Sequence, residues 1–475
     1  MTPPSPVNAP SRIARVVFAI ALTLLFTGCD ETLEKMEWSP DGTQAAVLLR
    51  GDLCLSDAAG VLSAPLAGDV ACATWLPDGS GLIGVRSLHP ESWKEAVSLL
   101  SSEEATNLEQ LALAFIGFLE GALEASNGSF DEIADRFLAP LKIDSSEKLA
   151  AVLACVSHTQ AKPLKKLIGK APKKQREQLE RDFSEIRQIR LQQLFAVRFD
   201  GNHSADLRSF LCTTDALSEA RPSPDGRSVA FVREGTLQLI ALDSGAKPFN
   251  ASQPVIGSIA WEKDGKSVAF ASPTSKWESG KNNLSTVTRI EVAREADQWK
   301  AAEPVKIAQI CSPYLPRVRV LPDGSLIFAS VETSFPSLTV APSASSFFVI
   351  AESSGDKKPM RKIKSEEGLL PADLSSFAPS PDGKQLAIVD GEGDAVRLLT
   401  LETGSVETVW PKNRCKSRTV PAWRGPGELF FVALPKGAVA RPEWMQWSAE
   451  GGARVFSSHW EEAGLAPLLF VPPPE

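Results

Sequence analysis

A Pro-Asp-Gly triplet followed by an apolar run of strand length recurs along this chain, and the recurrence narrows the possible folds more than any other feature. In the stretch RPSPDGRSVAFVR (221–233), Pro224 sets φ for the first corner of a turn, Asp225 can bond back to the local backbone, and Gly226 can take the positive φ that closes a hairpin. The run Val229-Ala230-Phe231-Val232 is apolar without alternation, which predicts a strand covered on both faces. The triplet also starts at Pro40, Pro77, Pro322 and Pro381, with weaker versions at Lys263-Asp264-Gly265 and Gly425-Pro426-Gly427. The apolar runs read, in chain order, AAVLL, LIGV, VAFV, VAFA, LIFA, LAIV and LFFVA. Most are followed by a further strand ending on an acidic residue and glycine, as in LQLIALDSG and VRLLTLETG. Two hairpins per unit make four strands.

From glycine to glycine the units lie 37, 147, 39, 59, 59 and 44 residues apart, and 48 residues follow Gly427. Four-stranded units repeating at about 40 to 45 residues mark propeller blades. The spacings of 59 hold a blade and a long polar loop such as SPTSKWESGKNNLS (272–285), and the spacing of 147 requires an inserted module. The expected fold is all-β: a seven-bladed β-propeller, with six or eight as the neighbouring counts, carrying an α-helical insertion in the second blade. Residues 30–36 or the tail segment LLFV (468–471) are expected to complete a blade and close the ring. The turn residues need no role beyond holding blades together.

The units resemble the WD-like propeller repeats of the bacterial TolB family, whose blades open with a tryptophan or apolar residue, then Ser-Pro-Asp-Gly, then an apolar strand. Trp38-Ser39-Pro40-Asp41-Gly42 and Pro222-Ser223-Pro224-Asp225-Gly226 carry the resemblance, and Trp75, Trp261 and Trp423 occupy the position of Trp38. It covers residues 36–87 and 192–475. It implies a rigid periplasmic disc that docks other proteins, often at the mouth of its axial channel. The chain departs from TolB itself in lacking the α/β domain that precedes the propeller there, and in carrying an insert and a lipid signal.

Between Arg86 and Gln192 the period changes to that of helices: residues 103–125, 129–141, 145–158 and 172–195 read as a small bundle. Leu108, Leu111, Leu113, Phe115, Ile116, Leu119 and Leu123 largely keep one face of the first, and Leu179, Phe183, Ile186, Ile189 and Leu191 do likewise in the last. The insertion is assigned to 88–191 and the propeller to 30–87 and 192–475. Residues 91–160 carry 12 acidic against 4 basic side chains, and 161–190 carry 10 basic against 4 acidic. The basic stretch KPLKKLIGKAPKKQREQLER (162–181) is expected to pair with the acidic helices or lie in solvent, with anionic lipid or an acidic partner as the alternative.

Residues 1–29 read as a leader rather than as part of the fold. Arg12 and Arg15 form a positive region, VVFAIALTLLF (16–26) an apolar one, and Thr27-Gly28-Cys29 places a cysteine after small residues. FTGC resembles the bacterial lipobox, which implies lipid attachment at Cys29 and cleavage just before it. The apolar run is shorter than the roughly 20 residues that a membrane-spanning helix needs. The expected location is the bacterial cell envelope, with the domain lipid-anchored and facing the periplasm or cell surface.

Composition fits a soluble ectodomain and excludes little else. A formal net charge of −8 over 475 residues gives no reason to expect a nucleic-acid partner, and a monomer is expected. Besides Cys29, six cysteines are scattered without a zinc-type spacing, so buried thiols with at most one bridge are expected. His89, His158, His203 and His459 stand apart, without the H-x-x-x-H spacing of a metal site. No metal or other cofactor is expected. A propeller hydrolase of the prolyl oligopeptidase kind needs a G-x-S-x-G elbow and a separate α/β domain, and neither motif nor room for the domain is present. Asp373, Asp390, Glu392 and Asp394 could reach a channel mouth and bind a cation. The expected function is a non-enzymatic, lipid-anchored scaffold or receptor for envelope proteins; the alternative is a propeller lyase or hydrolase with acids gathered in a central pocket.

The leader reading yields a direct test. Cys29→Ala should abolish incorporation of a radiolabelled fatty acid and stop lipoprotein-type processing; label retained by the mutant would place the lipid elsewhere.

Overall fold

The computed structural model describes residues 35–124, 146–170, 189–199, 205–243, 247–274, 283–295, 298–312, 315–331, 345–350, 360–364, 376–389, 395–410, 420–433 and 443–456, together with 173, 176, 177 and 180. The expected leader, Cys29 and the tail segment 468–471 lie outside the described residues. The chain forms two compact units. The larger, Thr32–Arg86, Phe195–Phe210 and Ser218–Glu475, is the propeller; the smaller contains Ser87–Leu194 and Leu211–Leu217.

Seven sheets make the blades, as expected from the repeats. Their innermost strands are Lys35–Trp38, Val70–Trp75, Leu217–Pro222, Ile256–Trp261, Val318–Val320, Ser376–Pro379 and Ala422–Gly425. Each apolar run of the sequence is the second strand of its blade, paired antiparallel to the innermost one, as Glu37 faces Ala46 and Phe377 faces Ile388. Blade 1 has three strands, and its outer edge is completed by the isolated bridges Leu53 to Ala67 and Ser56 to Leu62. Blade 4 has five, because the long strand Asn283–Glu295 pairs both with Val305–Ser312 and with the short Gln298–Ala301.

The second strands are buried along most of their length, with Val229, Ala230 and Phe231 fully so. Six clusters of buried apolar side chains each join two neighbouring blades, so the core of the propeller lies between sheets. One joins blades 1 and 2 through Leu48, Trp75 and Phe195, another blades 5 and 6 through Phe347 and Phe377, whose rings meet edge-on at 4.9 Å. A fully buried phenylalanine at such a site contributes on the order of 2–3 kcal/mol.

The recurring turn owes its form to a repeated set of hydrogen bonds. The glycine N–H returns to the carbonyl three residues earlier, as Gly226 does to Ser223 at 2.8 Å and Gly383 to Ser380 at 2.9 Å. The aspartate accepts from the N–H two residues on: Thr43 to Asp41 at 3.1 Å, Arg227 to Asp225 at 3.0 Å and Lys384 to Asp382 at 3.1 Å. Where serine precedes the proline, its hydroxyl donates to that aspartate, at 2.5 Å for Ser39 and Ser223 and 2.7 Å for Ser380. The same hydroxyl accepts from the first N–H of the second strand, as Gln44 donates to Ser39 at 3.1 Å. Blade 4 has Glu262 in place of that serine, and the buried carboxylate is paired with Arg289 instead.

The turns also touch one another. A Cβ on Gly226 would lie 3.7 Å from Pro77 of the preceding turn, and one on Gly265 3.8 Å from Pro224. Tryptophan makes a second link. Trp75, Trp261 and Trp423 each donate their indole N–H to an inner-strand carbonyl of the preceding blade: Glu37 at 2.8 Å, Arg221 at 3.0 Å and Ala378 at 3.0 Å. At the seam between blades 7 and 1 the link differs. Trp38 is buried with no hydrogen-bond partner for its N–H among the described residues, and Arg424 lies over its ring at 5.0 Å while donating to the Gly42 carbonyl at 3.0 Å. Blade 7 takes its four strands from 422–455, so neither end lends a strand to the other's blade among the described residues. Among the described residues, side-chain packing of Met36, Trp38, Phe430 and Phe456 joins the first blade to the last.

The helical insertion sits between the second and third strands of blade 2, Gly81–Leu88 and Leu191–Phe199. Its described helices are α1 (Trp93–Leu99), α2 (Ser102–Glu124), α3 (Ser146–Thr159) and α4 (Ala161–Lys170). Leu108, Phe115 and Phe118 of α2, Val152, Cys155 and Val156 of α3, and Leu164, Leu167 and Ile168 of α4 share one core. Leu113, expected on the apolar face, is 55% exposed. The stretch 129–141 lies outside the described residues. The helix expected to run to residue 195 does not reach it: Leu191 to Phe195 belong to a strand, because the sheet of blade 2 continues through them. The basic stretch is helical in its first part, with Leu164, Leu167 and Ile168 turned inward and Lys162, Lys165 and Lys166 exposed, as expected for a solvated face. Lys170 pairs with Glu120 at 3.5 Å.

Gly226 has φ +68°, and a Cβ there meets only ordinary contact with Pro77, so the cost of substitution is backbone strain rather than crowding. Gly226→Val should lower propeller stability by about 1–3 kcal/mol. Urea unfolding checks this, and an unchanged midpoint would contradict the turn geometry.

Candidate functional site

The innermost strands alternate, and the alternation decides what lines the axis. In blade 1 Met36 and Trp38 are buried between blades while Lys35 and Glu37 stay half-buried. Counted from the first residue of each turn, the second set stands five and three residues earlier. In blades 1 to 6 the pairs are Lys35 and Glu37, Cys72 and Thr74, Glu219 and Arg221, Ser258 and Ala260, Arg317 and Arg319, Ser376 and Ala378, and in blade 7 Val420 and Ala422. Blades 1, 3 and 5 therefore bring charge to the axis, and blades 4 and 6 bring small residues.

Four of these side chains, Glu37, Thr74, Glu219 and Arg221, form one connected group. Arg221 pairs with Glu219 at 3.2 Å and donates to the Thr74 hydroxyl at 3.4 Å. Thr74 in turn donates to Glu37, which also accepts from the Trp75 N–H at 3.2 Å. Lys35 donates to the Ala71 carbonyl at 3.3 Å, and Arg319 to the Val318 carbonyl at 3.2 Å. The backbone is distorted at the same level in three successive blades. The inner strand of blade 2 shifts register between Val70 and Cys72, Glu219 takes φ +47°, and blade 4 shifts between Ile256 and Ile259. A left-handed glutamate within a strand is strained, and such strain gathers where side chains are aimed for a purpose.

Electrostatics follows from the crowding. Burial alone would push the Glu219 carboxyl up, but Arg221, Arg319, Arg317 and Lys35 outweigh it and hold it below the usual carboxylate range. Burial, then the neighbouring Arg221 and Arg317 charges, bring Arg319 down from 12.5 to about 9, against the opposing pull of Glu219. The Cys72 thiol is pushed up, first by burial and then by Glu219. An ionised carboxylate held low, guanidiniums and a raised thiol are poor at moving protons or attacking carbonyls near neutrality. They are suited to holding a charged group.

The axis is thus basic among the described residues, with four cations against two carboxylates, where an acidic pocket was the expectation of the enzymatic alternative. Asp373, Asp390, Glu392 and Asp394 lie outside the described residues, as does Cys29, the expected lipid-attachment residue. Among the described residues no group of three His, Cys, Asp or Glu could hold a metal ion. No disulfide joins Cys54, Cys72, Cys155, Cys212 or Cys311; burial pushes the thiols of Cys54 and Cys155 up to about 11. The axial residues escaped the sequence reading, although their signal was present. Polar residues at fixed offsets before each turn, K-x-E, E-x-R and R-x-R, break strands that are otherwise apolar.

No family model and no curated protein sequence matches the chain. Solved structures similar to it include a puromycin hydrolase, at 17% identity and a TM-score of 0.40, covering 57% of this chain and 43% of that one. A putative TolB from Agrobacterium tumefaciens is similar at 13% identity and a TM-score of 0.37, covering 53% and 84%. Hydrazine synthase from Kuenenia stuttgartiensis is similar at 13% identity and a TM-score of 0.43, covering 78% and 76%. This chain therefore spans less than half the length of the puromycin hydrolase.

Glu219, with its pKa lowered by folding, contributes stability that is present above the ordinary carboxylate range near 4.3 and is lost as pH falls through the lowered value. Glu219→Gln should therefore cost about 1–2 kcal/mol at pH 7, discounted because the pair is partly solvated. The difference from wild type should close toward pH 3. Urea unfolding of both proteins at pH 7, 5 and 3 checks the sign.

Proposed function

We propose that this chain is a lipid-anchored propeller of the bacterial envelope that acts as a non-enzymatic scaffold or receptor for protein partners. The observation that supports it is the make-up of the axial group: Glu219, Arg221, Arg317, Arg319 and Lys35 are fixed charges at one place, reached by solvent, with side-chain exposures of 29% for Glu219 and 32% for Arg221. A rigid ring presenting fixed charges recognises a complementary surface and needs no moving part to do so. The resemblance of the repeats to TolB blades fits a docking disc, and the lipobox at Cys29 fits a tether to the membrane. The chain acts as a monomer in this reading, without cofactor.

A second reading draws on the same convergence of charged side chains from several blades with shifted acidity, which enzymes also display. On this reading the propeller is a lyase or hydrolase that uses its axial group to orient an anionic substrate.

The two readings differ in what the insertion does. Its ends lie close, since Gln192 donates to the Ser87 hydroxyl at 3.1 Å. Replacing residues 90–190 with a short Gly/Ser loop should leave the circular dichroism of the propeller intact while lowering recovery of co-purifying envelope proteins several-fold. Loss of the β signal would show that the helices are needed for the ring to fold. Unchanged recovery would assign recognition to the propeller alone.

A further inference from the structure

We propose that the outward face of α4, formed by Lys162, Lys165 and Lys166 with Lys173 beyond them, is a docking surface for anionic phospholipid headgroups. The choice of a membrane as the occupant rests on the reading of the chain as lipid-anchored.

The helix separates apolar from basic. Leu164, Leu167 and Ile168 turn into the core of the insertion, and every other residue of Ala161–Lys170 is exposed. Lys162, Lys165 and Lys166 stand three and four residues apart, which puts them on one side of the helix. Lys173 is helical and exposed too, and it stands seven residues after Lys166, the spacing of about two turns. No acidic residue occurs between Ala161 and Lys173.

The fold does not account for these lysines. Like charges three and four residues apart weaken a helix, and Lys162 lies in the first turn, where the helix dipole disfavours a cation. Internal pairing does not account for them either. The neighbouring α2 carries Glu103, Glu104, Glu109 and Glu120, yet it is Lys170 that reaches one of these, Glu120, at 3.5 Å on the surface. Among the described residues no ion pair or hydrogen bond engages the side chains of Lys162, Lys165, Lys166 or Lys173.

The make-up of the face favours lipid over protein. Protein interfaces centre on aromatic and arginine anchors and are poor in lysine, whereas the exposed residues of α4 are lysine, alanine, proline and glycine. Lysine is a hydrated point charge on a flexible stem, without the fixed fork of arginine. It suits phosphates that move in the plane of a bilayer. Because the apolar side of α4 is committed to the core, the contact is made by charge alone, without insertion among the acyl chains. It would add to a lipid tether a second, salt-sensitive attraction that holds the insertion against the bilayer.

The test uses the mature polypeptide from Asp30, made without the leader and therefore without lipid, and vesicles of phosphatidylethanolamine mixed with either phosphatidylglycerol or phosphatidylcholine. Cosedimentation should recover the chain with the phosphatidylglycerol vesicles and not with the phosphatidylcholine vesicles, and recovery should fall several-fold between about 50 mM and about 500 mM salt. Combining Lys162→Gln, Lys165→Gln, Lys166→Gln and Lys173→Gln should lower recovery several-fold, while arginine at the same positions should keep it. The glutamine variant should melt at or above the wild-type temperature, because it removes like-charge repulsion; a lower temperature would mark the lysines as structural and count against the proposal. Absence of binding to phosphatidylglycerol vesicles, or binding that survives in the glutamine variant, overturns it. A polyglutamate peptide that binds where the vesicles do not, and is lost in the glutamine variant, would also overturn it and assign the face to an acidic protein. Fatty-acid labelling at Cys29 tests the tether separately, so failure at the vesicles would remove the docking face and leave the anchored reading standing.

Discussion

Each blade is apolar on both of its faces, so no blade can bury its surface alone, and every other property of the propeller depends on neighbours pressing against it. The six two-blade clusters are the physical form of that dependence. Because the requirement passes from one blade to the next, it is met everywhere only when the first blade meets the last. Among the described residues the meeting is made without a shared strand. Trp38, Phe430 and Phe456 pack into one group, with ring centroids 4.9 Å apart for Trp38 and Phe430 and again for Phe430 and Phe456. Arg424 then bridges the seam by lying over Trp38 and bonding to the turn carbonyl of Gly42. Among the described residues the seam thus relies on dispersion and one cation, where three other blade junctions add an indole hydrogen bond.

The repeated turn serves this packing in a way its own geometry does not reveal. Its hydrogen bonds are local and would form in an isolated hairpin, yet its proline and glycine also touch the turns on either side, as Gly226 approaches Pro77 and Gly265 approaches Pro224. The sequence repeats because the neighbour repeats. That is why blade count, the buried second strands and the location of the insertion could be read from residues alone. The substitution of Glu262 for serine shows the tolerance of the scheme: a buried carboxylate is acceptable once Arg289 reaches it.

Other features were not legible, for physical reasons. Helix α1 is seven residues long, too short to show a period, and α4 is ten residues long, with lysines interleaved between Leu164, Leu167 and Ile168, so its apolar stripe is short. Leu191 fitted a helical face by spacing, but its place in the sheet of blade 2 decides its conformation, and that is a tertiary effect. The axial group was hidden most completely. Lys35, Glu219 and Arg319 lie far apart in the chain, and nothing local says which of two alternating faces of a four-residue strand looks inward. Only when seven inner strands are set around one axis do residues at equal offset become neighbours.

The axis is also where the fold has freedom to spend on recognition. Inner strands are edge strands, and their inward side chains meet no opposing sheet, so packing sets few limits there. Blades 4 and 6 leave the space to small residues, while blades 1, 3 and 5 fill it with charge. Charge of one sign gathered near an axis destabilises the folded state, and burial together with the Arg221 and Arg317 charges lowers the affinity of Arg319 for its proton. Glu219 relieves part of it, at the cost of a left-handed backbone that glutamate adopts reluctantly. Among the described residues the axial group holds Lys35, Arg221, Arg317 and Arg319 together with Glu37 and Glu219. A propeller whose axial residues served stability alone would place small or paired residues in every blade, as this one does in blades 4 and 6.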